Sequence, residues 1–407
     1  MSTLLIDGRR LTIEDVCAVA RRDVRVALST DEAFRARVRR GADFITRTLA
    51  EQGVIYGVTT GYGDSVTVPV PDALVPELGH RLFTYHGVGL GAAFDAEQTR
   101  AILAARLQSL AQGLSGVTEG LLEQLATLLQ QDLLPVIPQE GSVGASGDLT
   151  PLSYVAAVLC GERDVVVDGK RQPTAEVFKA RGLTPLRLRP KEGLAVMNGT
   201  AVMTGLACLA FERAAYLSKV AAKLTALASA AMDGNPHHFD ERLFAAKPHA
   251  GQQRVAGWIR ADLSGGAREE SRLQDRYSIR CAPHVIGVVE DTLPWLRQLI
   301  ENELNSANDN PLIDGEAGEV LHGGHFYGGH VALAMDTLKN VVANLADLMD
   351  RQLALLVDAR FNHGLPANLS GATGARAPIN HGLKALQIGA SAWTAEALKL
   401  TMPASVF

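Results

Sequence analysis

Residues 141–155 read GSVGASGDLTPLSYV, and four small residues, Gly144, Ala145, Ser146 and Gly147, stand immediately before Asp148 and an apolar run. Side chains that small cannot fill a core. Gly144 and Gly147 lack a Cβ, so the backbone between them can turn more tightly than other residues permit. Thr150 has the chemistry of an N-cap and Pro151 that of a first helical residue, where a missing N–H costs nothing, and Leu152 to Leu159 supply the apolar run that follows. The stretch predicts a compressed turn seated at the positive end of a helix.

Helical periodicity dominates the rest of the chain. Leu121, Leu122, Leu125, Leu128 and Leu129 recur at helix spacing, and from His330 to about Arg360 one face carries Leu338, Val342, Leu345, Met349, Leu353 and Leu356. A helix that long and without caps needs neighbours in a bundle or partner subunits. Strand signals are thin: Asp-Gly turns predict two hairpins, LLIDGRRLT near Asp7 and DVVVDGKRQP near Asp168. The fold class expected is mainly α, with a mixed N-terminal region over residues 1–200 and an elongated helical bundle over residues 201–407. No repeat or linker marks the boundary.

With 407 residues the chain can bury a large core. Its formal charge of −5, with Lys and Arg scattered, has neither the basic footprint of a nucleic-acid binder nor a polybasic membrane patch. A small-molecule partner is expected. Cys17, Cys160, Cys208 and Cys281 lie far apart with no CxxC pair, as buried free thiols of a reducing cytoplasm would. The first residues lack the basic, apolar and cleavage-site succession of an export signal, so a cytoplasmic protein is expected. The apolar stretch LAVMNGTAVMTGLACLAF from Leu194 is interrupted by Asn198, Gly199 and two threonines, which suits a buried helix better than a lipid-facing one.

If the turn at residues 144–147 closes far enough, the amide nitrogen of Gly147 reaches the carbonyl carbon of Ala145, and closure followed by loss of water from Ser146 gives an electrophilic ring. Alone, Ala-Ser-Gly reads as a plain turn before a helix. Three further segments change that: IYGVTTGYG at residues 55–63, MNGTAVMTG at 197–205 and QDRYSIRCAP at 274–283. Together with GSVGASGDLTPL they closely resemble the histidine, phenylalanine and tyrosine ammonia-lyases. The resemblance extends through ELNSANDNPLI at 303–313 and HGGHFYGGH at 322–330 and covers nearly the whole chain.

That resemblance implies a 4-methylideneimidazol-5-one (MIO) prosthetic group formed autocatalytically from Ala145, Ser146 and Gly147, with no metal and no nucleotide. By the same resemblance Asn198 hydrogen-bonds the ring carbonyl, Tyr56 takes the proton from the substrate's β-carbon, and Tyr277 stands beside the prosthetic group. Arg280 clamps the substrate carboxylate, a task that suits its planar fork. Gln274, Asn308 and Phe326 line the pocket, and Tyr85 and His86 form the selectivity pair facing the substrate's ring. The reaction implied is covalent catalysis in which the substrate amine adds to the methylene carbon and leaves as ammonia. A homotetramer with pockets shared between subunits is implied as well.

The chain departs from the family in two places. HGGHF stands where HGGNF is usual, placing His325 near the pocket; His322, His325 and His330 lack the carboxylate or cysteine that would complete a zinc site. Family members also normally continue about a hundred residues beyond the equivalent of Phe407, by the resemblance, so a truncated or cleaved enzyme is expected. Gly87, Gly89 and Gly91 have no strand and crossover around them and make no dinucleotide fingerprint. A polar Tyr85–His86 pair disfavours phenylalanine, and MNGTAVMTG with HGGHF points to L-tyrosine, giving p-coumarate. Histidine ammonia-lyase, an aminomutase using the same residues, and a non-catalytic truncated homologue remain alternatives.

Overall fold

A computed structural model describes residues 1–144, 147–263 and 273–406. The chain divides into two compact units, Met1–Ala210 with Leu299–Ala332, and Phe211–Gln298 with Leu333–Phe407. The division expected at residue 200 is linear, whereas 299–332 returns to the first unit, because the long helices Ala201–Ala231, Ala282–Leu304 and Gly329–Val357 each span a change of unit.

Helices carry both units, as the periodicity predicts. The leucine-rich segment is the helix Glu119–Gln130, capped by Thr118, whose hydroxyl accepts from the amide of Leu121, and the segment after His330 is the 29-residue helix Gly329–Val357. In the second unit Phe239, Val255, Ile259, Ile279, Ile286, Leu345 and Leu348 form one buried cluster.

Of the two expected hairpins one forms. Asp164–Val167 pairs antiparallel with Lys170–Pro173 around Asp168 and Gly169, both at positive φ (49° and 73°), as a two-residue hairpin turn demands. The other does not. Ser2–Ile6 pairs in parallel with Val24–Leu28, and the chain between them forms the helix Ile13–Ala20. Thr12 and Asp15 close a reciprocal capping box there, which starts a helix where the return strand would have begun.

Two more expectations need adjustment. The helix after the small-residue turn starts at Leu149 with Asp148 as its cap residue, not Thr150; Pro151 still falls in the first turn, where no intrahelical N–H bond is lost. The apolar stretch from Leu194 is not one helix: Glu192–Met197 ends at Asn198, and Ala201–Ala231 begins after the bend at Gly199 and Thr200. Of the stretch 192–231, long and apolar enough to cross a membrane, the most apolar window is 83% buried inside the protein. Cys17 and Cys208 are buried free thiols as expected, while Cys160 and Cys281 are only partly covered.

Three helices of the first unit frame the site: Val75–His86, Leu149–Leu159 and Glu192–Met197 pack against one another. Val75–His86 and Glu192–Met197 cross at Gly79 and Gly193, where a Cβ on Gly193 would lie 2.5 Å from the Cα of Gly79. Only paired glycines allow that approach.

Candidate active site

These helices and two loops frame an open cavity of about 400 Å³ in the first unit, lined by Tyr56, Tyr62, Tyr85, His86, Asn198, Asn310 and Phe326 together with Leu82, Leu149, Leu194 and Gly63. Five residues expected at the site from the sequence, Tyr56, Tyr85, His86, Asn198 and Phe326, therefore converge on one wall-to-wall space.

The segment 55–63 holds Tyr56 through its own threonines. Thr59 Oγ1 accepts from the amide of Ile55 and Thr60 Oγ1 from that of Gly57, so a loop without regular structure keeps its N–H groups satisfied. The amide of Gly63 donates to the Tyr56 phenol oxygen at 2.9 Å and fixes its direction. Gly57 sits at φ +65°, and a Cβ there would meet the Tyr62 ring at 2.8 Å; its absence lets Tyr62 stand edge-on to Tyr56, with ring centroids 6.5 Å apart. Burial, and then the nearby phenols of Tyr85 and Tyr56, push the Tyr62 phenol far up, so it stays protonated.

Tyr85 and His86 end the helix Val75–His86 with rings 4.7 Å apart. His86 Nδ1 lies 3.1 Å from the carbonyl oxygen of Leu82, and burial outweighs that contact to hold the imidazole below its ordinary pKa. A neutral ring facing a carbonyl must donate from Nδ1, which leaves Nε2 as an acceptor.

Ala145 and Ser146 lie outside the described residues; the residues around them are tightly specified. Gly147 has φ +69°, and a Cβ there would fall 2.2 Å from the carbonyl oxygen of Gly199. The Asp148 amide donates to that carbonyl at 2.6 Å, while the Asp148 carboxylate accepts from the amides of Val202 (2.8 Å) and Met203 (3.2 Å) and from the Ser142 hydroxyl (2.7 Å). Burial raises the Asp148 carboxyl to about 6, against the pull of these hydrogen bonds and of Arg106. On the other side the amide of Gly328, in HGGHFYGGH, donates to the carbonyl of Gly144 at 3.1 Å.

Beneath the Asn198–Gly199 bend lies a set of buried charges that the sequence did not reveal. Arg106, fully buried in the helix Ala96–Leu110, donates to the carbonyls of Ala195 and Asn308. Burial lowers its pKa to about 10, with Asp309 and Asp148 opposing. Lys191 pairs with Asp309 at 2.5 Å, and Asp309 in turn accepts from Asn198.

The family model for aromatic amino acid lyases matches residues 11–407. The chain belongs to the aromatic amino acid lyases. It is a carbon–nitrogen lyase. Relatives of this lyase include a protein named histidine ammonia-lyase from Gloeobacter violaceus (strain ATCC 29082 / PCC 7421), 39% identical over 99% of this chain and 78% of its own length. Another of that name, from Alkaliphilus oremlandii (strain OhILAs), is 36% identical over 100% of this chain and 80% of its own length. Among solved structures, tyrosine aminomutase from Streptomyces globisporus superposes with a TM-score of 0.88 at 37% identity, covering 98% of this chain and 78% of that one. Histidine ammonia-lyase from Trypanosoma cruzi superposes at 0.89 with 28% identity, covering 100% and 76%.

The remaining expected residues of this lyase fall elsewhere. Asn308 does not line the cavity: it is 5% exposed and donates its side-chain amide to the carbonyl of Glu303 at 3.0 Å. Asn198 does line it, yet both N–H groups of its amide point to acceptors of the protein, Asp309 Oδ1 (3.3 Å) and the carbonyl of Asn310 (3.0 Å). Gln274, Tyr277 and Arg280 belong to the second unit. There Gln274 is exposed, Tyr277 is 74% exposed, and the Arg280 guanidinium stacks 4.6 Å over the Tyr277 ring while donating to the carbonyl of Asp275. His322, His325 and His330 are all exposed, and no group of three or more His, Cys, Asp or Glu among the described residues could hold a metal ion. Tyr62 and Asn310 are cavity residues beyond those expected; their signal lay in the same motifs, TGYG and NDNPL.

Proposed function

We propose that this lyase binds L-histidine in the cavity of its first unit and releases ammonia and urocanate. The convergence of Tyr56, His86, Asn198 and Phe326 on one cavity carries the proposal. Tyrosine, the substrate expected from MNGTAVMTG and HGGHF, gives way to histidine, because the curated relatives at 36–39% identity are named histidine ammonia-lyases. His86 supports histidine against phenylalanine: its Nε2 acceptor matches the ring N–H of an imidazole, as it would a phenol O–H, and finds no partner on a plain phenyl ring.

The residues present fit an MIO group at positions 145–147. No Cβ can be accommodated at Gly147, and Asp148 ties the turn to the Gly199 bend. When formed, the group supplies an electrophilic carbon for the substrate's amino group. The protein's own side chains supply the rest. Tyr56 takes the β-proton at the oxygen that Gly63 orients; the electron pair of the broken Cβ–H bond forms the Cα–Cβ double bond, and the nitrogen leaves as ammonia. Arg280 suits the substrate carboxylate, as the family resemblance implies.

A homotetramer with shared pockets accompanies this proposal. Tyr277, 74% exposed, and the stripe of Tyr216, Leu224 and Leu227 on one helix, 67%, 46% and 66% exposed, are surfaces such an assembly would cover. An aminomutase is the second reading, supported by the tyrosine aminomutase structures at 37% identity. Purified protein assayed with L-histidine, L-tyrosine and L-phenylalanine should give urocanate as the dominant product; p-coumarate or a β-amino acid would overturn the proposal.

A further inference from the structure

In the second unit Asp275 is bound through three of its polar groups, and two of those bonds come from a segment 37 and 40 residues earlier. Its amide donates to His238 Nε2 at 2.9 Å, its Oδ2 accepts from the amide of Asn235 at 2.8 Å, and its carbonyl accepts from Arg280 Nε at 3.1 Å. A main-chain amide only donates, so Nε2 must be the bare nitrogen of the His238 ring, with the proton on Nδ1. His238 is itself held. Asn235 caps the short turn Pro236–Phe239 by accepting from the amide of His237, Arg260 donates to the carbonyl of Phe239 at 2.7 Å, and Phe239 is buried in the same cluster as Ile279, the neighbour of Arg280. The consequence falls on the Arg280 guanidinium. With Nε spent on Asp275 and the plane laid 4.6 Å over the Tyr277 ring, the two terminal nitrogens have no hydrogen-bond acceptor among the described residues. Of the two edges on which a guanidinium takes a carboxylate with paired donors, only the one made by Nη1 and Nη2 is left.

We propose that His238 is a positioning residue for the substrate carboxylate: through Asp275 it holds Arg280 so that the guanidinium presents its Nη1–Nη2 edge to that carboxylate. The assignment rests on reading Arg280 as the carboxylate clamp. His238 touches no substrate itself. Without an acceptor at position 238 the amide of Asp275 loses its partner, Asp275 is anchored by its carboxylate alone, and its carbonyl no longer fixes the direction of Arg280 Nε. The loss is therefore confined to ligands that carry a carboxylate.

Calorimetric titration of the purified protein with D-histidine and with histamine, which keeps the ring and the amine but has no carboxylate, tests this without turnover. Wild type should prefer D-histidine, Arg280→Met should abolish the preference, and His238→Leu should lose about tenfold in D-histidine affinity with histamine unchanged. His238→Gln, whose side-chain oxygen accepts from the same amide, should bind both ligands as wild type does. No preference in wild type, or one kept in Arg280→Met, refutes the clamp reading and the assignment with it. If Arg280→Met loses the preference while His238→Leu keeps it, the clamp stands and the assignment alone is overturned. Equal losses for both ligands in His238→Leu, or a loss as large in His238→Gln, would also overturn it. If wild type releases p-coumarate from L-tyrosine instead of urocanate from L-histidine, the proposed substrate fails, and D-tyrosine with tyramine decides the role of His238 by the same comparison.

Discussion

The main-chain amide of Asp148 donates to the carbonyl of Gly199 across 2.6 Å, and the Asp148 carboxylate returns to the amides of Val202 and Met203 on the far side of the same bend. Two segments distant in sequence thus share one hydrogen-bonded joint. One side of it carries the small-residue turn; the other carries Asn198.

The joint leaves no room at Gly147. With φ at +69° and a Cβ that would lie 2.2 Å from a main-chain oxygen, Gly147→Ala combines a left-handed conformation, unfavourable by about 1 kcal/mol or more, with a clash against backbone that cannot swing aside. Thermal melts should show clear destabilisation and activity should be lost. In wild type the intact mass should fall short of the translated chain by two waters; an unmodified mass, or full activity in Ser146→Ala, would rule out ring formation.

Asp148 should leave a signature in the pH dependence of stability. Its folded-state pKa, about 6, lies above the ordinary 3.8, so the native state holds the proton more tightly than the unfolded chain. Stability therefore declines as pH rises from the ordinary value to about 6, by an amount on the order of 3 kcal/mol. Asp148→Asn can keep an acceptor for the two amides and can donate to Ser142, so it should remain folded while losing that slope. Parallel urea-denaturation profiles for wild type and variant between these pH values would contradict the assignment.

Tyr56→Phe removes the phenol oxygen and leaves the ring. The Gly63 amide then lacks its acceptor, a loss of about 1 kcal/mol in stability, whereas kcat should fall by roughly 10²–10⁴ if the oxygen takes the β-proton. Steady-state kinetics with kcat near wild type would assign the base elsewhere.

Assembly is testable by light scattering. Tyr216, Leu224 and Leu227 are large apolar side chains exposed on one helix, and a tetramer at micromolar concentration that covers them is the expected result. A monomer would refute it, and Leu224→Glu/Leu227→Glu should shift a tetramer toward smaller species.

How much of this was legible in the sequence depends on whether the deciding interactions are local. The Asp168–Gly169 hairpin was, because both turn residues take positive φ and nothing downstream competes. The identical dipeptide at Asp7–Gly8 was not, because the Thr12–Asp15 capping box claims the next segment for a helix. Asn198 announced itself as one amide in an apolar run. Its partner Asp309 did not: the two meet only after folding, and no spacing rule links Lys191 to Asp309. Arg106 was hidden for another reason. An arginine in a helix reads as its solvent face, but Ala96–Leu110 is buried on almost every side from Ala101 onward.

Substrate choice turns on His86. Its Nδ1 is committed to the carbonyl of Leu82 at 3.1 Å, burial favours the neutral ring, and the tilted Tyr85 ring lies 4.7 Å away, so the one polar feature of His86 left to face the cavity is the Nε2 lone pair. An imidazole or phenol substrate can donate to it; a phenyl ring leaves it desolvated and unpaired, a difference of about 1–3 kcal/mol. His86→Leu removes the lone pair and keeps the wall apolar. The ratio of kcat/KM for L-histidine to that for L-phenylalanine should fall by about tenfold to a hundredfold, mostly through loss on histidine, because an unpaired donor on the substrate is penalised where a phenyl ring is not. Because His86 becomes charged only at low pH, wild-type kcat/KM for histidine should also drop as pH falls below the ordinary histidine range, beyond the fall caused by protonation of the substrate's own imidazole, and only the latter should remain in His86→Gln, whose amide can still accept. Urocanate and cinnamate release followed by absorbance across pH would measure both effects, and an unchanged substrate ratio in His86→Leu would remove His86 from the specificity wall.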